Sequence, residues 1–262
     1  MQAFLNTLGG WIMQASDWLA QFFNAVGGGV LYPLALVVLG VSTIIFVTEL
    51  LGYTLIGKSG FPFLKFAKYE QKWHPRFIGV IAILGALKIV LRIAGMGLPI
   101  IPGVLTLEFT MFLYGTIGTV FGVAGMIGWG IVGHILSDIF VGTLNPASIG
   151  AMIGAFVGEW VFFKIKPDAS MKGGKQIIKY VISAFLGVGF LQALSVCVSY
   201  QIFNLLPVEV IWGFALPLYY IAGVIPTLIG YPILVGPIHR LADKFGFTWK
   251  EMGYKIKSEE KK

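Results

Sequence analysis

The chain has 262 residues, of which 57% are apolar and 12% are charged, and its formal net charge is +7. Because an average soluble domain has about 25% charged residues, this composition excludes a soluble globule and predicts that lipid is the main solvent. The positive charge does not indicate a nucleic-acid partner, because Lys and Arg are absent from 1–57, 93–163 and 180–239 and cluster between those stretches.

Apolar stretches of helical length follow one another along the chain. A helix of about 20 apolar residues crosses the hydrocarbon core with its backbone hydrogen bonds satisfied internally. Short connections that contain Gly, Pro or Asn separate most of these stretches. The sequence therefore predicts an all-α, polytopic membrane helix bundle with about seven spans, at 30–56, 77–98, 106–125, 128–144, 147–165, 178–203 and 210–238.

The basic residues predict the orientation of this bundle. They cluster at 58–76, 164–179 and 240–262, next to the ends of predicted spans. Cytoplasmic loops of membrane proteins carry an excess of Lys and Arg. With about seven spans all three clusters fall on one side, which predicts an N-terminus outside and a C-terminus in the cytoplasm.

The chain divides into four segments in this interpretation. Residues 1–57 comprise an interfacial amphipathic helix, rich in Trp and Phe, and the first span. Residues 58–76 mix aromatic and basic side chains, which predicts an amphipathic cytoplasmic linker that forms a surface helix on anionic lipid. Residues 77–240 form a six-helix transport core, and 241–262 form a cytoplasmic tail.

Glycines spaced four residues apart indicate how the helices pack. Gly150, Gly154 and Gly158 lie on one face of a predicted helix, and Gly118 and Gly122 lie on one face of another. Small residues at this spacing let two helix backbones approach closely in a membrane. Helix packing is the ordinary interpretation, and the alternative is a face on which helices slide or a partner docks.

Charged residues occur inside predicted spans, where each costs about 2.5–3.5 kcal/mol on insertion scales unless it faces a cavity or a partner. Such residues usually mark functional sites in membrane proteins. They are Glu49, Arg92, Glu108, Asp138 and Glu159.

Polar residues from several spans share the outer level of the predicted bundle. Arg92 lies near the outer end of one span, Glu108 near the outer start of the next and Asp138 near the outer end of a third. This placement predicts an outward-facing pocket for a polar small molecule. Its predicted substrate-binding residues are Arg92, Glu108, Asp138, Asn145 and Trp212. The alternative is that Arg92 and Glu108 form a structural ion pair without a ligand.

Signatures of catalysis and of cofactor binding are absent from the sequence. It lacks the motifs of nucleophilic hydrolases, metalloproteases and nucleotide-binding proteins, so we expect neither an enzyme nor a cofactor. His134 and Asp138 offer two metal ligands on one helical face, but no third ligand of matching depth is evident, and no metal site is predicted. Cys197 is the single cysteine, so a disulfide within the chain is excluded.

Residues 77–240 carry local patterns that are similar to those of a known family. Small residues four apart, Ala82 and Ala86, lie in the apolar run that leads to Arg92. The glycine-rich run 114–122 is followed by Ser137-Asp138 and then by Gly142-Thr-Leu-Asn145-Pro146. In these patterns the chain resembles the substrate-binding S components of energy-coupling factor (ECF) vitamin transporters, although Thr116 stands where the family usually has Pro.

The resemblance implies a six-helix core with both ends in the cytoplasm, preceded here by one extra N-terminal span. It also implies that Ala82 and Ala86 meet a coupling membrane subunit that works with ATPases. We therefore expect a multi-pass protein of the plasma membrane, which captures a small, vitamin-like organic nutrient outside and delivers it inward with an energising partner.

Two other functions stay open at this point. The first is a membrane interaction protein, such as a sensory anchor or an assembly subunit, whose polar residues are only structural. The second is a proton- or ion-coupled transporter that uses Asp138 and Glu159. Every hypothesis has the lipid bilayer as a partner, and none of them includes nucleic acid.

Overall fold

The protein is described by a computed structural model over residues 29–57, 64–70, 74–101, 105–166, 173–252 and 255–256. Six helices in this part of the chain are long and apolar enough to cross a membrane, by length and composition. The predicted helical membrane bundle is confirmed at this level. The helices are α1 (Gly29–Leu50), α2 (Pro75–Ala94), α3 (Thr116–Val141), α4 (Ser148–Ile165), α5 (Gly174–Ile202) and α6 (Val208–Lys244). The interfacial helix predicted near the N-terminus lies outside the described residues.

The structure differs from the prediction between residues 97 and 115. A separate span was predicted over 106–125, but a strand over Leu105–Glu108 and a 3-10 helix over Phe109–Leu113 occupy its first part, and the α-helix begins only at Thr116. The preceding strand, Gly97–Ile101, pairs antiparallel with Leu105–Glu108. Proline and the β-branched residues of this stretch explain the difference, because both disfavour a continuous helix. The prediction of a full-length helix over 106–125 was therefore wrong, and the predicted number of seven spans is not confirmed.

A break at Gly122 divides α3 into two legs, 116–121 and 123–141. Gly122 has φ 57° and ψ −136°, which are not helical and lie in a region that glycine tolerates. A Cβ on Gly125 would lie only 2.8 Å from the carbonyl oxygen of Ile117, which shows that the chain reverses its direction at Gly122. The two legs of α3 therefore pack against each other.

Two ends of the bundle can be distinguished by their side chains. At one end, called the basic end, the ammonium of Lys166 lies 3.9 Å from the ring centroid of Trp249. The ring of His74 is there 3.0 Å from the carbonyl oxygen of Met252. At the other end of α2 lies Arg92, about 25 Å away at 1.5 Å per helical residue. We call this second end the cavity end.

Short strands account for the remaining regular structure in the described ranges. They are β1 (Tyr53–Gly57), β2 (Leu64–Glu70), β3 (Gly97–Ile101), β4 (Leu105–Glu108) and β5 (Lys255–Ile256). One sheet has the order β1-β2-β5, and β3 pairs with β4. The surface helix predicted within 58–76 is wrong over β2, because aromatic and β-branched residues of β1 and β2 favour antiparallel pairing.

The glycine face of α4 packs directly against α5. A Cβ on Gly150 would collide with Ser199, and one on Gly154 would lie 3.1 Å from the backbone of Gln192. Gly158 likewise lies against the carbonyl oxygen of Gly187. The interpretation of these glycines as a helix-packing face is confirmed, because any larger residue would separate α4 from α5.

Candidate functional site

A polar cavity lies at the cavity end, where α2 and α3 end and α4 begins. Its volume is about 40 Å³. Side chains from α5 and α6 complete its wall. The wall residues with polar groups include Arg92, His134, Asp138, Asn145, Tyr200 and Tyr219. Polar groups from five helices and a loop of an apolar bundle therefore converge on one space.

Arg92 is held by contacts with α3 and the loop that follows it. Its guanidinium pairs with Oδ1 of Asp138 and donates to Oγ of Ser137 at 2.9 Å. It also donates to Oγ1 of Thr143 at 3.1 Å. The Arg92 side chain is only 3% exposed. A guanidinium presents its donors in a fixed fork, so these contacts set its orientation at the cavity wall.

The carboxylate of Asp138 is bound from both sides. Its Oδ1 accepts from Thr143 at 3.2 Å, and its Oδ2 accepts from Ser148 at 2.6 Å. Gly142 makes this possible, because its φ of 71° ends α3 in the left-handed region and turns the loop back. The loop and the start of α4 thus position Asp138 against Arg92.

Lys88 and His134 extend the charged cluster into the bundle. Lys88 lies one helical turn before Arg92, and its buried ammonium is 3.0 Å from Nδ1 of His134. Because an ammonium only donates, Nδ1 accepts, and a neutral His134 carries its proton on Nε2. Nε2 lies 3.7 Å from Oδ2 of Asp138. Two basic side chains and one carboxylate make this cluster favourable for an anionic or electron-rich ligand group.

Two tyrosines and an alanine form the less charged part of the wall. The hydroxyls of Tyr200, in α5, and Tyr219, in α6, are 3.3 Å apart. Ala151, one turn into α4, contributes a small side chain. Tyrosine offers a ring for apolar contact and a hydroxyl for hydrogen bonding. The cavity therefore combines a cationic side with an aromatic side, which suits a small organic anion.

The structure brings some of the predicted site residues together. Arg92, Asp138 and Asn145 line the same cavity. Asn145 also organises the loop, because its Oδ1 accepts from the backbone N–H of Ala147 at 2.9 Å. Trp212 is buried and donates to Oε1 of Gln201 at 2.8 Å, and it is not among the residues that line this cavity. The side chain of Glu108 lies outside the described part of the chain.

Other residues of the site were not singled out from the sequence. They include Lys88, Thr143, Ser148, Tyr200 and Tyr219. The sequence could have indicated that Lys88 belongs to the site, since it precedes Arg92 by four residues and so lies on the same helical face. The tyrosines carry no such signal, because aromatic residues are common throughout this sequence.

Two predicted intramembrane charges lie elsewhere in the bundle. Glu49, at the end of α1, accepts from the indole N–H of Trp160 at 2.6 Å and lies 3.4 Å from the ammonium of Lys164. Glu159, in α4, accepts from backbone N–H groups of Gly115 and Gly118. Neither carboxylate belongs to the cavity wall among the residues that the structure describes.

The alanines predicted to meet a partner lie on the outside of α2. Ala82 and Ala86 are both exposed, and Ile83 and Leu87 beside them line an apolar groove. Internal packing of the two alanines within the bundle is therefore excluded. Among the described residues, no group of three or more His, Cys, Asp or Glu side chains is arranged to hold a metal ion.

Comparisons with known proteins gave no relative of this chain. No family model matches it, and neither a curated protein nor a solved structure matches it.

Proposed function

We propose that this chain is a multi-pass transport protein of the plasma membrane that captures a small organic, vitamin-like nutrient in the polar cavity and delivers it inward. One observation carries the proposal: the buried pair of Arg92 and Asp138 lies at the wall of an empty space and not within packed core. A structural ion pair requires no adjoining cavity, whereas a binding site does.

The proposed substrate carries an anionic or electron-rich group. Lys88 and Arg92 supply two cations to the cluster, and Asp138 supplies one carboxylate. Tyr200 and Tyr219 on the facing wall suit the organic part of the molecule. Binding would bring the substrate's charge to the Arg92 side of the cavity wall, which offsets the cost of its dehydration.

The proposed topology has about seven crossings, with the N-terminus outside and the C-terminus in the cytoplasm. The reversal at Gly122 supports it, because the descending segment 105–121 and the ascending leg 123–141 then count as separate crossings. Basic stretches that are far apart in sequence meet at the basic end, as the contact of Lys166 with Trp249 illustrates. This end faces the cytoplasm in the proposal, and the cavity faces outside.

An energising partner completes the proposed function. Residues 77–240 form the core that resembles ECF S components, and the exposed Ala82 and Ala86 would dock a coupling membrane subunit that acts with ATPases. Small residues on an exposed helix face allow another helix to approach closely. The apolar groove beside them adds area to the proposed interface.

Specific observations also favour each of the two other functions. Asp138 is bonded to Ser148 and Thr143 as well as to Arg92, so the pair is satisfied without a ligand, as a structural role in a membrane interaction protein requires. The contacts from Lys88 through His134 to Asp138 favour a proton- or ion-coupled transporter.

Native mass spectrometry of the detergent-purified protein tests the proposal. We expect a bound small molecule and, after mild solubilisation, co-purifying subunits. A panel of vitamin-like anions should then raise the unfolding temperature, since a ligand at one hundred times its Kd adds about 2.7 kcal/mol of stability. Absence of both a bound molecule and any thermal shift would favour the structural role instead.

A further inference from the structure

Glu159 lies in the interior of the bundle, away from the polar cavity. It is 0% exposed, in the middle of α4 and opposite the first leg of α3. Its Oε2 accepts from the backbone N–H of Gly115 at 2.9 Å and of Gly118 at 2.8 Å. The first N–H groups of a helix lack partners within it, so Glu159 caps the start of α3 from another helix.

The second oxygen of Glu159 has a different environment. Oε1 is buried and has no hydrogen-bond partner, and the same is true of Oγ1 of Thr116 and Oε1 of Gln192. Thr116 is next to Gly115 in the cap, and Oε1 of Gln192 faces Gly158, the residue before Glu159. Nε2 of Gln192 donates to the hydroxyl of Tyr114 at 3.1 Å. This contact points Oε1 of Gln192 away from Tyr114.

Two of these three oxygens, Oε1 of Glu159 and Oε1 of Gln192, belong to groups that only accept when Glu159 is ionised, while the hydroxyl of Thr116 can also donate. An ionised carboxylate and an amide oxygen only accept, and burying them without donors is costly. A proton on Oε1 of Glu159 changes this balance, because the buried carboxyl becomes neutral and gains a donor while Oε2 keeps both backbone contacts.

We propose that Glu159 is a proton-binding site within the membrane, which carries its proton on Oε1 in this conformation. The site does not rest on the proposed substrate cavity, and it can exist whether or not that cavity binds a nutrient.

The groups around Glu159 define how it responds to pH. Lys88, from α2, is the cation whose field reaches it. Tyr114 precedes α3, and Tyr231, from α6, stacks near Phe162 on the next turn of α4. From α5 the facing residue is the neutral Gln192. Lys88 is therefore the counter-charge that would stabilise Glu159 after it releases the proton.

Infrared spectroscopy tests the proposal on the purified wild-type protein. We expect a C=O band of a protonated carboxyl at neutral pH that disappears in Glu159→Gln. Glu49→Gln is the matched control, since Glu49 is buried beside Lys164 and should lose a carboxylate band instead. Absence of the carboxyl band from the wild type, or loss of a carboxylate band in Glu159→Gln, would overturn the proposal.

Thermal unfolding provides an independent readout. Unfolding exposes Glu159 to water, where it loses its proton, so the wild-type unfolding temperature should fall as pH rises from about 5 to about 8. Glu159→Gln should retain most of the wild-type stability at pH 6, because an amide keeps an acceptor for Gly118 and adds a donor. Its unfolding temperature should change less with pH than that of the wild type. An unchanged slope in this variant, or a loss of stability at pH 6 as large as that of Glu159→Ala, would contradict protonation of Glu159.

Discussion

The guanidinium of Arg92 pairs with the carboxylate of Asp138, which is 46 residues further along the chain. The pair joins the end of α2 to the end of α3, and both side chains are at most 6% exposed. Its neighbours are hydroxyl groups and the imidazole of His134, and one side of it faces the cavity. Both the stability of the cavity end and its proposed ligand chemistry depend on this contact.

Breaking the pair should destabilise the protein strongly. We expect Arg92→Gln or Asp138→Asn alone to cost about 3–5 kcal/mol, because each leaves an opposite charge buried. The double variant should cost less than the sum, with a coupling of about 1–3 kcal/mol. Unfolding of the purified protein measures both quantities. Glu209→Gln, at an exposed position of the same end, is the control and should change little. Additive single effects would contradict a direct pair.

Filling the cavity should abolish ligand binding. Ala151 lines the cavity, so Ala151→Phe places a ring in the space that the proposed substrate occupies. Ile149→Phe is the matched control, because Ile149 is 58% exposed on the same helix. We expect ligand-induced thermal stabilisation to disappear in Ala151→Phe and to persist in the control. Equal ligand responses of the two variants would place binding elsewhere.

Gly115 should tolerate no side chain. Its φ of 76° strains any other residue, and a Cβ there would lie 2.5 Å from the ring of Phe162. Gly142 provides a comparison, because it has a φ of 71° but nothing within 4 Å of a Cβ. We expect Gly142→Ala to cost about 1–2 kcal/mol from backbone strain alone and Gly115→Ala to cost clearly more. Adding Phe162→Ala to the Gly115→Ala variant should not restore the wild-type stability, since the backbone strain at residue 115 remains. Equal costs at Gly115 and Gly142 would show that the ring contact is unimportant.

The glycine face of α4 should behave as a packing surface. Gly150→Ala would bring a methyl group into Ser199, so we expect the unfolding temperature to fall. Ser199→Ala in the same chain should restore part of the loss, because the hydroxyl is the nearest obstacle. Gly40→Ala, in α1, has nothing within 4 Å and should be neutral or stabilising, as Ala favours a helix over Gly. A Gly150→Ala variant as stable as the wild type would contradict the packing.

The proposed orientation can be tested by labelling in intact cells. Glu209 is exposed at the cavity end, and Asp243 is exposed towards the basic end. An impermeant maleimide should react with Glu209→Cys from outside and with Asp243→Cys only after permeabilisation. The native Cys197 is buried and serves as the unlabelled background. The opposite pattern, or labelling of both positions from outside, would reject the orientation.

The sequence alone determined the helices and the charged positions. Apolar stretches near 147–165 and 178–203 predicted α4 and α5 closely, because hydropathy over about 20 residues is a local property, whereas the stretch 30–56 predicted α1 but not its end at Leu50. Glu49, Arg92, Asp138 and Glu159 stood out for a similar reason, since any charge within an apolar stretch needs a partner or a cavity. The four-residue spacing of glycines likewise predicted a packing face.

Only the tertiary structure decided which of these groups meet. Arg92 contacts Asp138, and Lys88 contacts His134, through helix rotations and depths that a one-dimensional pattern does not specify. A connection between two spans was predicted near Gly125, and the structure has the break at Gly122, because several glycines of this run can adopt a non-helical backbone and the sequence pattern does not select one of them. Pairing across the bundle depends on how several helices pack at once, and no single helix encodes that arrangement in its own sequence.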